Sequence, residues 1–159
     1  MIELAKKAEL ITISALAKKT RQYMQNLGLK QWVDGYPDYA QFLFDYNNQG
    51  LYVYKEDNVI IASMSLLPEN DEAYKELKWL KDKSIVMHRV LVDPEHQKSG
   101  IGGLLFNYAI NLARTNSYES VKVDTHPDNY KMQRLIKKME FQDIGYLSGI
   151  NRLAYELVL

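Results

Sequence analysis

One run in this chain has the chemistry to hold an anion, and two histidines could move a proton. The run is Gln97-Lys98-Ser99-Gly100-Ile101-Gly102-Gly103. It follows an apolar, β-branched stretch, Ile85 to Val92, and leads into Leu104, Leu105, Tyr108, Ala109 and Leu112 at helical spacing. The first N–H groups of a helix have no internal partner and lie at the positive end of its dipole. Glycine removes the Cβ that would keep a phosphate from the backbone. Lys98 adds a formal charge and Ser99 a hydroxyl donor. A merely tight turn explains this poorly, because each early helix glycine costs about 1 kcal/mol relative to alanine. The run is not a Walker loop, since no lysine followed by serine or threonine comes after the glycines. A dinucleotide fingerprint would need its third glycine at the place of Leu105.

His126 follows the stretch Ser120 to Thr125, which reads as a strand, and open α/β sheets place ligands beyond strand ends. It is a candidate general base; the alternative is a turn residue bonding nearby backbone. His88 lies on the strand before the glycine run and is a second candidate, against an ordinary packed sheet residue. His96 reads as a surface residue. The three histidines have no metal-ligand spacing and there is no cysteine, so no metal site and no disulfide framework is expected.

These groups need a scaffold. Asp93-Pro94 ends the strand before the glycine run, because proline cannot donate to a ladder. Ile2 to Ala5 reads as a short strand. A helix from Ala8 to Leu27 carries Ile13, Leu16, Ala17, Tyr23, Met24 and Leu27 on one face, and Gly28 stops it. Lys30 to Tyr39 is a loop, and Asp38 caps a second helix, Tyr39 to Asn48, with Phe42 and Leu43 inward. Leu51 to Tyr54 and Val59 to Leu67 pair around Glu56-Asp57-Asn58. Glu69 to Lys83 reads as an exposed connection with a helical turn or two. His126-Pro127-Asp128-Asn129 breaks the strand Ser120 to Thr125. A helix then carries Met132, Leu135, Ile136 and Met139, and Phe141 to Leu147 and Arg152 to Val158 close the sheet. This order predicts an α/β protein with a mixed sheet (α+β in its strand mixture), helices on both faces, and a right-handed crossover between the parallel strands flanking the glycine helix.

The 159 residues suit a single domain spanning 1–159. Lys plus Arg number 20 and Asp plus Glu 20, so no basic footprint for nucleic acid exists. No run reaches the roughly 18 apolar residues of a membrane span. Glu3 and Glu9 argue against a signal peptide, and a cytoplasmic protein is expected.

The run Gln97-Lys98-Ser99-Gly100-Ile101-Gly102, preceded by Val92-Asp93-Pro94-Glu95, resembles the coenzyme A loop [QR]-x-x-G-x-[GA] of the GNAT superfamily of N-acetyltransferases. The element order agrees, and the resemblance covers nearly the whole chain. The segment Asp124-Thr125-His126-x-Asp128-Asn129 is similar to a group of small bacterial members. The resemblance implies a mostly antiparallel mixed sheet of about six to seven strands with a central parallel pair and about four helices. It implies acetyl-CoA as cosubstrate, bound by Gln97, Lys98, Ser99, Gly100, Ile101, Gly102 and Gly103. It further implies backbone pairing of the pantetheine arm with Val90, Leu91 and Val92, and a contact from Asn129. It makes the Leu91 N–H the oxyanion donor and puts Trp32 and Tyr36 in the acceptor pocket, beside Tyr39. His88 falls near the place of a catalytic glutamate in some members. A homodimer through the closing strands is common in the family.

The chain departs from the family's closing pattern. Ile136 stands where a tyrosine often protonates the leaving thiolate, and Glu140 where a glycine is usual. No hydroxyl lies one turn away, where Met132, Gln133 and Met139 stand. The implied reaction is acyl transfer from a thioester to a primary amine of a small molecule or peptide. An amine of pKa about 10.4 must first lose a proton. The alternative is a non-catalytic module that binds or senses acyl-CoA.

Overall fold

The computed structural model describes residues 1–97 and 99–159; Lys98 lies outside the described residues. The strands are β1 (Ile2–Leu4), β2 (Leu51–Glu56), β3 (Val59–Pro68), β4 (Ser84–Val92), β5 (Ser120–Thr125), β6 (Gln142–Leu147) and β7 (Arg152–Val158). The helices are α1 (Leu10–Asn26), α2 (Tyr39–Asn47), α3 (Ile101–Thr115) and α4 (Tyr130–Lys138). All seven strands form one sheet in the order β1-β2-β3-β4-β5-β7-β6. Every pairing is antiparallel except β4 with β5, which are joined through α3 as a parallel crossover requires.

Two cores lie on opposite faces of the sheet. On one, Ile101, Leu105, Phe106, Ala109, Ile110 and Ala113 of α3 and Ile136 of α4 pack on Ile85, Met87, Val121 and Val123. On the other, Leu10, Ile13, Leu16 and Ala17 of α1 and Phe42 of α2 pack on Leu51, Val53 and Leu91. A smaller cluster beside the second core joins Tyr74, Val86, Leu147 and Ala154. The predicted first helix starts later than its periodicity suggests, because Lys7–Glu9 forms a 3-10 turn and α1 begins at Leu10. The 69–83 connection is not a plain exposed link: Tyr74 is only 1% exposed and stacks on Trp79. Buried Glu156 accepts from the N–H groups of Leu80 and Lys81 at 2.6 and 3.1 Å and pins this connection to β7. Glu140 adopts φ +65, a left-handed conformation that favours glycine.

Two irregularities of β4 position the site. First, β4 and β5 pair only from Ser84–Ser120 to Met87–Val123, then diverge. Second, β4 bulges against β3: Ser63 pairs with Leu91 but Ser65 with His88, so three steps on β4 match two on β3. Arg89 takes φ +51 within the bulge. The extra residue reverses the strand's alternation. Ile85 and Met87 face the α3 core, and beyond the bulge Val90 and Val92 do so too, while Leu91 joins the α1 core.

Candidate active site

The gap between β4 and β5 opens into a cavity of about 300 Å³, flanked by α1 on one side and by α3 and α4 on the other. Its lining brings together Val90, Leu91 and Val92, the turn residues Gln97 and Ser99, Gly100 to Gly103 at the start of α3, and Asn129 at the start of α4. Met24, Leu27, Met132 and Leu135 supply an apolar wall. All the described cofactor-site residues expected from sequence therefore converge on one space; Lys98 lies outside the described residues.

Local chemistry explains how the glycine turn is held. Asp93 accepts from the Glu95 N–H at 3.1 Å and from Lys19 Nζ of α1 at 2.7 Å, fixing the end of β4. Gln97 Nε2 donates to the Val92 carbonyl at 3.1 Å, and its Oε1 accepts from Lys131. The Ser99 hydroxyl donates to the His96 carbonyl, so it shapes the turn rather than pointing outward. Gly100 caps α3 at φ +80, where a side chain is disfavoured. Nothing lies within 4 Å of where a Cβ at Gly100 or Gly103 would sit, while one on Gly102 would meet Leu135 Cδ2 at 2.8 Å. The turn is thus a bare cradle of backbone N–H groups at the positive end of a 15-residue helix, which suits a phosphate group.

The surroundings of the gap's apex are polar. Arg89 donates from Nε and Nη2 to Asp45 at 2.6 and 2.7 Å and from Nη1 to the Tyr36 hydroxyl at 2.9 Å. Ser65 also donates to Asp45, at 2.5 Å. Asp124, the first residue of β5 beyond its last pair with β4, accepts from the Tyr74 hydroxyl at 2.5 Å. Arg152 Nε stands 3.8 Å from Asp124 Oδ1. Its Nη1 donates to the Ile150 and Asn151 carbonyls and its Nη2 to the Gln31 carbonyl at 2.7 Å. Gln31 bridges the two sides, because its Oε1 accepts from Thr125 at 3.2 Å and from Asn129 at 2.8 Å.

Burial, before all else, pushes the Asp124 carboxyl above its ordinary pKa, against the pull of Tyr74 and Arg152. Burial also pushes the Tyr74 hydroxyl well up, so it remains a donor. His126 is 8% exposed; its Nδ1 accepts from the Asp128 N–H at 3.1 Å, and Nε2 lies 3.4 Å from Asn151 Nδ2. Burial and then Arg152 hold it below its ordinary value. His88 is half-buried and pushed down to about 3 by burial and then by Arg89. Trp32 sits in the α1 core at 5% exposure, beneath the loop, while Tyr36 is 41% exposed. Ile136 is wholly buried in the α3 core, so no side-chain hydroxyl replaces the family's tyrosine at that position.

Sequence reading missed Asp45, Tyr74, Arg89, Asp124, Arg152 and Gln31. Asp124 does immediately precede Thr125-His126 at a strand end, which is a weak signal. The others are placed by bonds that reach 44 to 121 residues along the chain, such as Asp45 to Arg89, Tyr74 to Asp124 and Arg152 to Gln31, and these leave no local pattern. Among the described residues no group of three or more His, Asp or Glu could hold a metal ion, and no helix is long and apolar enough to cross a membrane.

Comparison with known proteins gives a consistent result. Residues 14–141 match the model of the acetyltransferase (GNAT) family. A GNAT-family acetyltransferase structure from Streptococcus agalactiae is similar at TM-score 0.86 and 26% identity, covering 100% of this chain and 95% of that one. An N-acetyltransferase structure from Staphylococcus aureus has TM-score 0.74 and 18% identity, covering 99% and 97%. The yncA structure from Salmonella typhimurium, described with its cofactor acetyl-CoA, has TM-score 0.75 and 18% identity, covering 100% and 93%. No curated protein matches.

Proposed function

The chain belongs to the GNAT acetyltransferase family, and on that premise we propose that it transfers an acetyl group from acetyl-CoA to a primary amine of a small molecule or peptide. The observation that carries this reading is the convergence of the glycine turn, the bulged strand and Asn129 on one cavity. The bare N–H groups of Gly100 to Gly103 fit the pyrophosphate, and the edge of β4 from Val90 to Val92, freed from β5, fits the amide groups of the pantetheine arm. That the yncA structure holds acetyl-CoA supports the same assignment by analogy of fold. When bound, acetyl-CoA supplies an activated acyl group.

The chain's own residues would then do three things. The Leu91 N–H, the donor expected from the family resemblance, is turned by the register towards Ser63 of β3, so the neighbouring Val90 N–H, which alternation turns towards the gap, would donate to the carbonyl oxygen as it gains negative charge. Tyr36, half exposed and held by Arg89, would line the acceptor entrance, with Trp32 supporting the loop from below. His126 and His88 would complete the polar wall of the acceptor side. A cytoplasmic setting belongs to the same reading, and the terminal position of β6 in the sheet leaves an edge through which a homodimer could form.

A thiol-release assay with acetyl-CoA over polyamines, amino acids, aminoglycosides and peptides tests the proposal. Turnover with at least one amine is expected. The buried Ile136 favours one other reading, a module that binds acyl-CoA without transfer. Saturable acetyl-CoA binding with no release on any acceptor would select it.

A further inference from the structure

We infer that Asp124 is a catalytic residue of this enzyme, the group that takes the proton from the acceptor's ammonium at the apex of the gap between β4 and β5. The inference rests on the acetyltransferase reading and names the proton acceptor that reading leaves open.

Position is the first argument. The last rung shared by β4 and β5 is Met87–Val123, so His88 and Asp124 are the first residues at the apex of the gap. Val121 and Val123 face the α3 core, so alternation turns Asp124 to the other side, where Tyr74 meets it. The cavity lining starts at Val90, two residues beyond His88, so a thioester held there would lie next to this apex and an amine that met it would pass close to Asp124.

The second argument is which polar groups already have partners. All three Arg89 nitrogens are engaged by Asp45 and Tyr36. Both terminal nitrogens of Arg152 are engaged by backbone carbonyls. Asp45 is taken by Arg89, Ser65 and Gln41. Asp124 differs. Its Oδ2 holds the Tyr74 hydroxyl, whereas Oδ1 accepts no hydrogen bond from the described residues and has only Arg152 Nε at 3.8 Å. The side chain is 19% exposed, so an ammonium can reach that oxygen.

The groups that face the carboxyl are Tyr74 and Asp71 from the 69–83 connection, Arg152 from β7, and Arg89 with His88 from β4. Burial and Asp71 favour the protonated form, while Tyr74, Arg152 and Arg89 favour the ionised one. A carboxylate so placed is a better proton acceptor than a free one. His126, on its own strand end, has its Nδ1 lone pair occupied by the Asp128 N–H and is less suited.

The step balances as follows. The ammonium gives one proton to Asp124 Oδ1 and becomes an amine. Its nitrogen lone pair forms the bond to the acetyl carbon, and the carbon–sulfur bond breaks with its electron pair on sulfur. The nitrogen loses a second proton as the amide forms. One of the two protons ends on the thiol and the other in solvent, and Asp124 returns to the carboxylate.

The test compares wild type with Asp124→Asn, which keeps an oxygen for Tyr74 and removes only the charge. With an alkylamine acceptor, kcat should fall at least about tenfold, towards the 10²–10⁴-fold range of a lost general base. The melting shift given by acetyl-CoA should be unchanged. An acceptor whose amine is already neutral at the assay pH, such as an arylamine or 2,2,2-trifluoroethylamine, should lose less than about threefold. That contrast would not arise if Asp124 merely held the fold. Equal losses on both acceptor types, or an alkylamine rate within about threefold of wild type, would overturn the inference while leaving the acetyltransferase reading intact. A wild type that binds acetyl-CoA yet acetylates no amine would overturn both.

Discussion

Asp45 of α2 and Arg89 of β4, 44 residues apart, form a buried two-point ion pair, with Nε to Oδ2 at 2.6 Å and Nη2 to Oδ1 at 2.7 Å. Asp45 is completely buried and the Arg89 side chain 8% exposed. The pair holds the guanidinium of a residue whose backbone already sits at φ +51. Asp45→Ala would leave that cation buried and unpaired, which typically costs about 3–5 kcal/mol. Urea unfolding should show a loss in this range, and Asp45→Leu combined with Arg89→Met should lose much less than the two changes added. A single-mutant loss below about 1 kcal/mol would show that the pair does not hold the bulge.

The glycine turn makes a different prediction. At about 100-fold excess over Kd, acetyl-CoA should add roughly 2.7 kcal/mol to wild-type stability. Gly102→Asp should abolish the melting shift, because it adds a negative charge at the cradle and pushes a side chain at Leu135. Gly100→Ala adds bulk without charge. It forces a Cβ into φ +80 and should cost about 1–2 kcal/mol, and because that Cβ meets no protein neighbour it would stand in the cradle itself, so the acetyl-CoA shift should shrink without vanishing. Retention of the shift in Gly102→Asp would refute the assignment of this turn.

His88 should behave as a neutral residue throughout the working pH range. Its pKa is lowered to about 3, so the fold favours the uncharged ring. Above the ordinary value of 6.5 neither folded nor unfolded chain carries the proton, and stability is complete. As pH falls from 6.5 towards 3, the unfolded chain gains a proton that the folded one refuses, and stability declines. His88→Gln should flatten that decline, as measured by melting temperature against pH. An imidazole titrating near 6.5 by NMR would contradict the burial of this ring.

His126→Ala should lower kcat by less than about tenfold and leave the acid limb of the rate profile in place. Its Nδ1 lone pair serves the Asp128 N–H and is not poised for an amine. Loss of the limb in this variant alone would return the base role to His126.

The balanced charge predicts behaviour towards polyanions. With 20 basic and 20 acidic residues, the protein should elute freely from DNA or RNA at about 150 mM salt. Retention with a steep salt slope would be the contrary result.

Much of the cofactor side was legible because its signals are local. A β-branched run, Asp93-Pro94 and the glycines lie within twenty residues, and backbone chemistry does the rest. Asn129 entered through the family resemblance alone; the structure adds that it caps α4, its side chain accepting from the Met132 N–H at 3.1 Å. The acceptor side was not. Tyr74 lies in a segment whose charge suggests exposure, and only the stacking on Trp79 and the hydrogen bond to Asp124 reveal it as interior. Arg89 falls inside the run Ile85 to Val92 that reads as one strand, and nothing in Met87-His88-Arg89-Val90 announces an extra residue in the ladder. The bulge arises from pairing with β3 and from Asp45, and both are distant in sequence.

The bulge also makes the length of β4 matter more than its spelling. Before it, the strand keeps one phase; after it, the opposite phase, and the cavity wall of Val90 and Val92 exists only in the second. Substituting valine by isoleucine there changes a volume. Deleting a single residue between His88 and Leu91 would match two steps on β4 to two on β3, with Val90 and Val92 still on the cavity side and Leu91 still opposite Ser63; inserting one, while the bulge holds a single residue, would throw all three to the wrong side. A library of variants selected for activity should therefore tolerate many replacements and some single deletions along this segment but almost no single insertions, as a ratchet slips one way only.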